Sequence, residues 1–469
     1  MNKKVFVFCI GGTGLRVMKS IIMLMAAGAD TKGYTVIPVI VDPHMKLNEK
    51  KDLQARIDRY IHIYNAIVTC GGQKMSALSG FFCSEMLKLK DLNNEKNNIN
   101  ELGGKSDSFG DFLGKGKITD GDINNYFVET LFSQSSLNNT LDVGFRGNPN
   151  VGTVVLGDMI EGADWFEAFK RNCSQNDRVF IISSIFGGTG ASGYPLIEKK
   201  IRACADNPNV KNCLMGALTV LPYFNLEDPA HTSSNIDSKN FITKTKSALA
   251  YYEDTVQSDY LYYIGEQSKT TSYANNEDAQ EDKAHFVELV GATALFDFLG
   301  KGKPQNGTEY LSRAIAEDKA SLDLKSCGDA YKELVEHIAN FMLLKLLVET
   351  LPEEKHYPLS SKYDRGLDKE FYGSADFNQL KDFLADFDTW YQQLAENKRA
   401  FAPLNSDKTD DLTNWVKGSP LKAKNVTYYL LEMIKASHRE KTENHSNKFR
   451  YFLKYAYEAI HCYTSNIQA

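Results

Sequence analysis

The chain has no pair of cysteines two residues apart, and none of its eight cysteines (Cys9, Cys70, Cys83, Cys173, Cys204, Cys213, Cys327, Cys462) has a histidine at metal-ligand spacing. That excludes zinc-ribbon and thioredoxin-like motifs. The scattered thiols read as reduced, mostly packed side chains of a cytoplasmic protein. An excess of positive charge is also missing: the formal net charge is −6 and no basic stripe occurs, which argues against nucleic-acid binding. No window reaches the roughly 18 apolar residues that a membrane span requires. At the N-terminus, Lys3 and Lys4 precede an apolar run, but it stops at Ile10 against glycines with no small-residue cleavage site. It reads as a first β-strand rather than a leader.

What is present is a globular composition, 42% hydrophobic and 24% charged. A length of 469 residues favours two domains over one. Residues 1–300 alternate strand and helix signals. The strand runs are 4–10, 35–42, 177–186, 213–222 and 259–265, mostly apolar on both faces, as parallel strands covered by helices are. Helix-period segments lie between them, for example Leu15 to Ala27 and Leu196 to Ala205. The expectation is a doubly wound, mostly parallel α/β domain. Residues from about 45 to 143 interrupt it with one amphipathic helix (Leu53 to Val68) and a polar stretch from Asn93 to Asp122, read as an insertion with a mobile loop or a packed helical lobe. Beyond residue 300 the strand signal fades. Stripes such as Phe377, Leu380, Phe383, Leu384, Phe387, Trp390 and Leu394 predict a mainly helical C-terminal domain over 301–469, its aromatics serving as core. The heptapeptide DFLGKGK occurs at 111–117 and 297–303 with unmatched flanks, which reads as two helix ends with glycine caps.

Two glycine-rich joints carry the chemistry. Gly11-Gly12-Thr13-Gly14 follows the first strand, and Gly187-Gly188-Thr189-Gly190-Ala191-Ser192-Gly193 follows the third. A strand that feeds bare backbone into a helix N-terminus presents N–H groups to an anion, and any Cβ would hold phosphate oxygens away. Thr189 and Ser192 add hydroxyls, so two joints in one sheet suggest a polyphosphate gripped from both sides. No lysine follows either glycine run, which excludes a Walker loop. A dinucleotide fingerprint fits the first joint in part: Asp42 ends the second strand where a ribose-binding acid would sit, but Val17 stands at the third glycine. An NAD-dependent oxidoreductase is therefore a minor alternative.

FGGTGASGYP (186–195) resembles the tubulin/FtsZ signature GGGTG[ST]G, with Phe186 in place of its first glycine. GFRGNPNVG (144–152) resembles the FtsZ loop GxGxNPxxG, LPYFNLED (221–228) the stretch PFxFEG, 259–267 the strand and turn before the base-contacting loop, and 285–299 the long central helix. The five segments occur in the family's order over residues 1 to about 300, minus the insertion, and suggest a divergent bacterial tubulin-like protein.

The resemblance implies roles for individual residues. Gly11 to Gly14 and Gly187 to Gly193 would cradle the α- and β-phosphates, with Thr189 and Ser192 hydrogen-bonding to them. Gly147 and Asn148 would face the γ-phosphate and Glu227 the ribose. Arg16 and Arg146 would neutralise phosphate charge or serve in ion pairs. Glu266, in the turn Gly265-Glu266-Gln267 where the family offers asparagine, would accept from guanine N1–H and N2–H. His285 or Phe286 would stack on the base, with core packing of Phe286 the alternative. The implied cofactors are GTP or GDP with Mg²⁺, and the implied partner is a second copy, head to tail, with a further protein surface on the C-terminal helices. One departure concerns hydrolysis: after Leu299 no NxDxxD motif appears, and Glu309, Glu317, Asp318 and Asp323 lack its surroundings. Nucleotide binding is the expectation, with GTP hydrolysis across a subunit contact or a non-hydrolysing nucleotide-gated scaffold as its two versions.

Overall fold

The computed structural model describes residues 3–44, 48–94, 107–119, 121–142, 144–145, 147–226, 238–266, 272–273, 283–314, 321–322, 332–352, 367–439 and 447–467. Six segments pair into one parallel sheet: β1 (Lys3–Ile10), β2 (Tyr34–Val41), β3 (Arg178–Ser184), β4 (Leu214–Val220), β5 (Tyr260–Gly265) and β6 (Glu309–Ala314), in the spatial order β6-β5-β4-β3-β1-β2. β1 is an inner strand, with Val5 opposite both Val36 and Arg178. Six of its eight residues are buried, which explains an apolar run without alternation.

β2 is just as buried yet contains Pro38, opposite Val7. Proline lacks the N–H that a central ladder uses, so it fits where one side of the strand has little pairing. On that outer side, among the described residues, β2 meets a short segment: Val36 donates to Glu85 O at 2.9 Å and Leu87 donates to Val36 O at 3.1 Å.

The architecture is the doubly wound α/β fold. Helix α1 (Gly11–Ala26) follows β1 directly, is buried nearly throughout, and packs against β3, α2 (Asn48–Val68) and a later helix, α7. Between them come α3 (Pro149–Ile160), α4 (Asp164–Asn172), α5 (Gly188–Arg202) and α6 (Phe241–Thr255). Helix α7 (Phe286–Gly300) is apolar all round because α1 covers one side and β4 and β5 the other. Its start is fixed by a capping box in which His285 Nδ1 accepts from Val287 N–H and Glu288 accepts from His285 N–H, each at 3.1 Å.

The expectation that strand signal ends near residue 300 is corrected by β6. Tyr310 on it is 61% exposed. A short edge strand with one wet face lacks the apolar continuity that marked the other five. The two DFLGKGK copies sit at helix ends, but only the first has its glycine, Gly114, in the left-handed region (φ 72°).

After β6 come α8 (Lys332–Thr350), α9 (Ala375–Glu396), α10 (Val426–Arg439) and α11 (Lys448–Thr464). The stripes on α8 and α9 are core: Phe82 lies 5.7 Å from Phe341 and 5.3 Å from Phe383, ring centre to ring centre. Asn447, which caps α11, and Arg450 on it donate to Ala66 O and Ile67 O at 2.7 and 3.3 Å. Those carbonyls belong to the last turn of α2, which has no partners of its own. Helix α2, read as part of an insertion, is thus the surface on which the C-terminal helices dock. Residues 95–106 and 120 of the polar stretch 93–122 lie outside the described residues. Among the described residues no helix is long and apolar enough to cross a membrane.

Candidate functional site

β1 and β3 are neighbours, but the chain leaves β1 toward β2 on one side and β3 toward β4 on the other. A crevice therefore opens beyond their carboxyl ends, where doubly wound sheets bind ligands. Both glycine joints lie there. α1 begins at Gly11, with Ile10 as its cap residue, and α5 begins at Gly188, with Gly187 as its cap residue; neither cap supplies a side-chain hydrogen bond. Elsewhere Ser374, Asp368 and Asn148 cap their helices through side chains. The two helix starts thus share one crevice with first-turn N–H groups that no side-chain cap serves, and both positive dipole ends favour an anion between them.

The glycines divide by task. Gly11 has φ +66°, a left-handed conformation that favours glycine, and a Cβ on Gly12 would meet only the side-chain ends of Arg16 and Glu49, at 3.5 and 3.7 Å. Gly14 is different: its Cβ would lie 2.7 Å from the carbonyl carbon of Cys9, so α1 approaches β1 as closely as backbone allows. Gly190 is pressed likewise on Ser184, and Gly193 on Ile10. A third loop closes the floor, since a Cβ on Gly188 would come within 3.0 Å of Asn148 N and 3.1 Å of Gly147 N.

Of the residues expected at the site, Gly11, Gly12, Thr13, Arg16, Asp42, Gly147, Gly187, Gly188, Thr189 and Gly190 line this one cleft. Gly14, Ala191 and Gly193 stand behind it as helix packing. Arg146 and Glu227 lie outside the described residues, as do Glu317, Asp318 and Asp323. Three expectations differ. Ser192 donates its hydroxyl to Gly188 O at 2.7 Å and is 2% exposed, so it serves the helix rather than the cleft. Asn148 caps α3 through Oδ1, accepting from Asn150 and Val151, while its amide donates to Ser136. Phe286 stacks on Phe401 with ring centres 5.1 Å apart, the core alternative.

Glu266 also differs. It is buried and paired with Arg399 Nε at 2.8 Å, with His285 Nε2 at 3.5 Å. Burial raises its pKa and Arg399 opposes that rise. Burial lowers the His285 pKa to about 4, so the ring is neutral at pH 7. Arg16 reaches the cleft with its charge already engaged: Nε donates to Glu288 at 2.7 Å, Nη2 to Tyr223 at 3.0 Å, and Nη1 lies 3.5 Å from Glu49.

Several cleft residues were not picked out from the sequence. Glu49 opens α2, and Phe145, Phe186, Phe224 and Phe241 form an apolar wall. Phe186 lies 4.8 Å from Phe241 and 5.5 Å from Phe224 between ring centres, so its ring is part of that wall. Lys244 donates to Gly147 O at 2.6 Å, bracing the third loop. Asp42 is buried at the end of β2, its carboxylate accepting from His44 N–H at 2.9 Å, and burial raises its pKa.

No family model matches the chain, and no curated protein matches it. Among solved structures, CetZ from Methanosaeta thermophila strain DSM 6194 is similar over 56% of this chain, at 13% identity and a TM-score of 0.22. The chain spans 45% of that protein's length, and a likeness so weak carries no functional weight.

Proposed function

We propose that this chain is a tubulin/FtsZ-like guanine-nucleotide-binding protein that holds the phosphates of GTP or GDP between its two glycine joints. The observation that carries the reading is the meeting of two helix N-termini without side-chain caps, at the sheet's switch point, over Gly11, Gly12, Gly187 and Gly188. Thr13 and Thr189, both on the cleft wall, would add hydroxyls to the backbone donors. Mg²⁺ keeps most of its water and takes one or two carboxylates beside phosphate oxygens. Asp42 and Glu49, both on the cleft wall, are the side chains that would hold it. The phenylalanine wall suits a base of any identity, and guanine comes from the sequence resemblance alone.

In the self-assembling version, a second copy stacks head to tail and supplies the carboxylate that orients water, so catalysis is positioning and charge stabilisation. The non-hydrolysing scaffold version is favoured by a specific feature, the lack of the acidic motif after Leu299. An oxidoreductase reading is weaker, because Val17, at the third glycine of that fingerprint, is fully buried. Mass spectrometry of nucleotide released from the purified protein, followed by electron microscopy with GTP, GDP and a non-hydrolysable analogue, tests the reading. Guanine nucleotide and filaments formed with the triphosphate support it. A nucleotide-free protein that binds neither GTP nor GDP contradicts it.

A further inference from the structure

The end of α7 that the resemblance turns toward the base is held by the C-terminal region instead. Four contacts fasten it. Ala284 N–H donates to Gln393 Oε1, and Asn397 donates to Ala284 O, each at 3.1 Å. Phe286 stacks on Phe401, and Arg399 pairs with Glu266 in the turn after β5. Glu266, His285, Phe286, Arg399 and Phe401 are all buried. A base stacks on an aromatic face that is open to it, and here that face is covered. The carboxylate expected to read guanine is paired within the protein.

The glycine cleft itself is small. Its volume is about 180 Å³, whereas pockets that enclose a drug-sized ligand measure roughly 300–1,000 Å³. Its charged side chains gather on one side. A Cβ on Gly12 would meet Arg16 Nη1 and Glu49 Oε2, and Asp42 and His44 follow the neighbouring β2. Thr13 and Thr189 belong to the joints, and Ser184 lies against Gly190. What remains of the described wall is the four phenylalanines and Leu226, with two glycines of the third loop. Apolar side chains touch any base and offer no hydrogen bond by which guanine differs from adenine or uracil, so they discriminate weakly.

We propose that the cleft selects a polyphosphate and not a base. It encloses phosphates between the two joints and leaves the nucleoside at its mouth, so purine and pyrimidine triphosphates and inorganic triphosphate are all ligands. The inference rests on the phosphate-binding reading above and widens its ligand class from guanine nucleotides to polyphosphates at large.

Calorimetric titration of the full chain with GTP, ATP, UTP and inorganic triphosphate, each with Mg²⁺, tests it. The three nucleotides are expected to bind within about fivefold of one another, because an apolar wall gives little discrimination. Inorganic triphosphate is expected to displace GTP, and Gly12→Asp to weaken all four ligands at least tenfold at unchanged Tm. A preference for GTP over ATP and UTP of tenfold or more overturns the inference and leaves the nucleotide-binding reading in place. So does GTP binding that inorganic triphosphate fails to displace. Inorganic triphosphate binding that survives in Gly12→Asp also overturns it, by putting that ligand outside the cleft. Binding of none of the four overturns the inference and the reading together.

Discussion

Two polar regions lie at the carboxyl ends of this sheet, and they are built in opposite ways. At β1 and β3 the polar groups are backbone N–H at helix starts without side-chain caps, facing an open cleft. At the end of β5 they are side-chain groups, the charged pair Glu266 and Arg399 beside the neutral ring of His285, closed off from water. The sequence resemblance assigned both regions to the nucleotide. The structure separates a region that offers donors outward from one whose charges pair with each other, so the first is the proposed place for a ligand and the second a fastening for the segment around Arg399.

That contrast breaks or holds under substitution, most strongly at the closed region. Arg399→Met leaves the Glu266 carboxylate buried without its counter-ion and is expected to cost about 3–5 kcal/mol in urea unfolding, without weakening nucleotide affinity in the fraction that stays folded. Next is a packing glycine. In Gly190→Ala the new Cβ meets the backbone of Ser184, for an expected loss of about 1–3 kcal/mol. Gly12→Ala, in the same class of motif, has only flexible side-chain ends nearby and leaves Tm within about 2 °C.

His285 gives a pH-dependent test of the closed region. Its folded pKa, about 4, lies below its unfolded value near 6.5, so the unfolded chain binds the extra proton between them. Stability from this group is complete above pH 6.5 and declines as pH falls toward 4, by at most about 3 kcal/mol. The raised pKa of Glu266 works in the other direction. His285→Asn therefore flattens the acid-side fall of Tm relative to wild type. The smallest effect is Ser192→Ala, which deletes a hydroxyl bonded to Gly188 O, costing about 1 kcal/mol and leaving ligand affinity unchanged.

Much of the fold was legible because burial on both faces leaves a continuous apolar run, as in β1, β2 and β3. β6 was not, since an edge strand with Tyr310 in water has no such run. The helix α1 was legible from Leu15 onward but begins at Gly11. Glycine is a poor helix former, and here the first turn is set by the strand end and the crevice rather than by propensity. In the candidate site, glycine spacing located the cleft but did not divide open glycines from packed ones. That division depends on Cys9, Ser184 and Ile10, which lie opposite only once the strands are paired. The resemblance turned Glu266, and Phe286 as one of two alternatives, toward the base; their partners, Arg399 and Phe401, lie in a distant part of the chain with no motif to announce them. The role of α2 was hidden for the same reason, its carbonyl partners being Asn447 and Arg450.

The central claim is that open glycine backbone at β1 and β3 binds nucleotide phosphates. It is tested most directly by titrating a fluorescent GTP analogue into wild type and Gly12→Asp, with the Tm of both recorded. The account expects saturable binding by wild type that unlabelled GDP displaces, and at least a tenfold loss in Gly12→Asp at unchanged Tm. Equal affinity in the two proteins would contradict it.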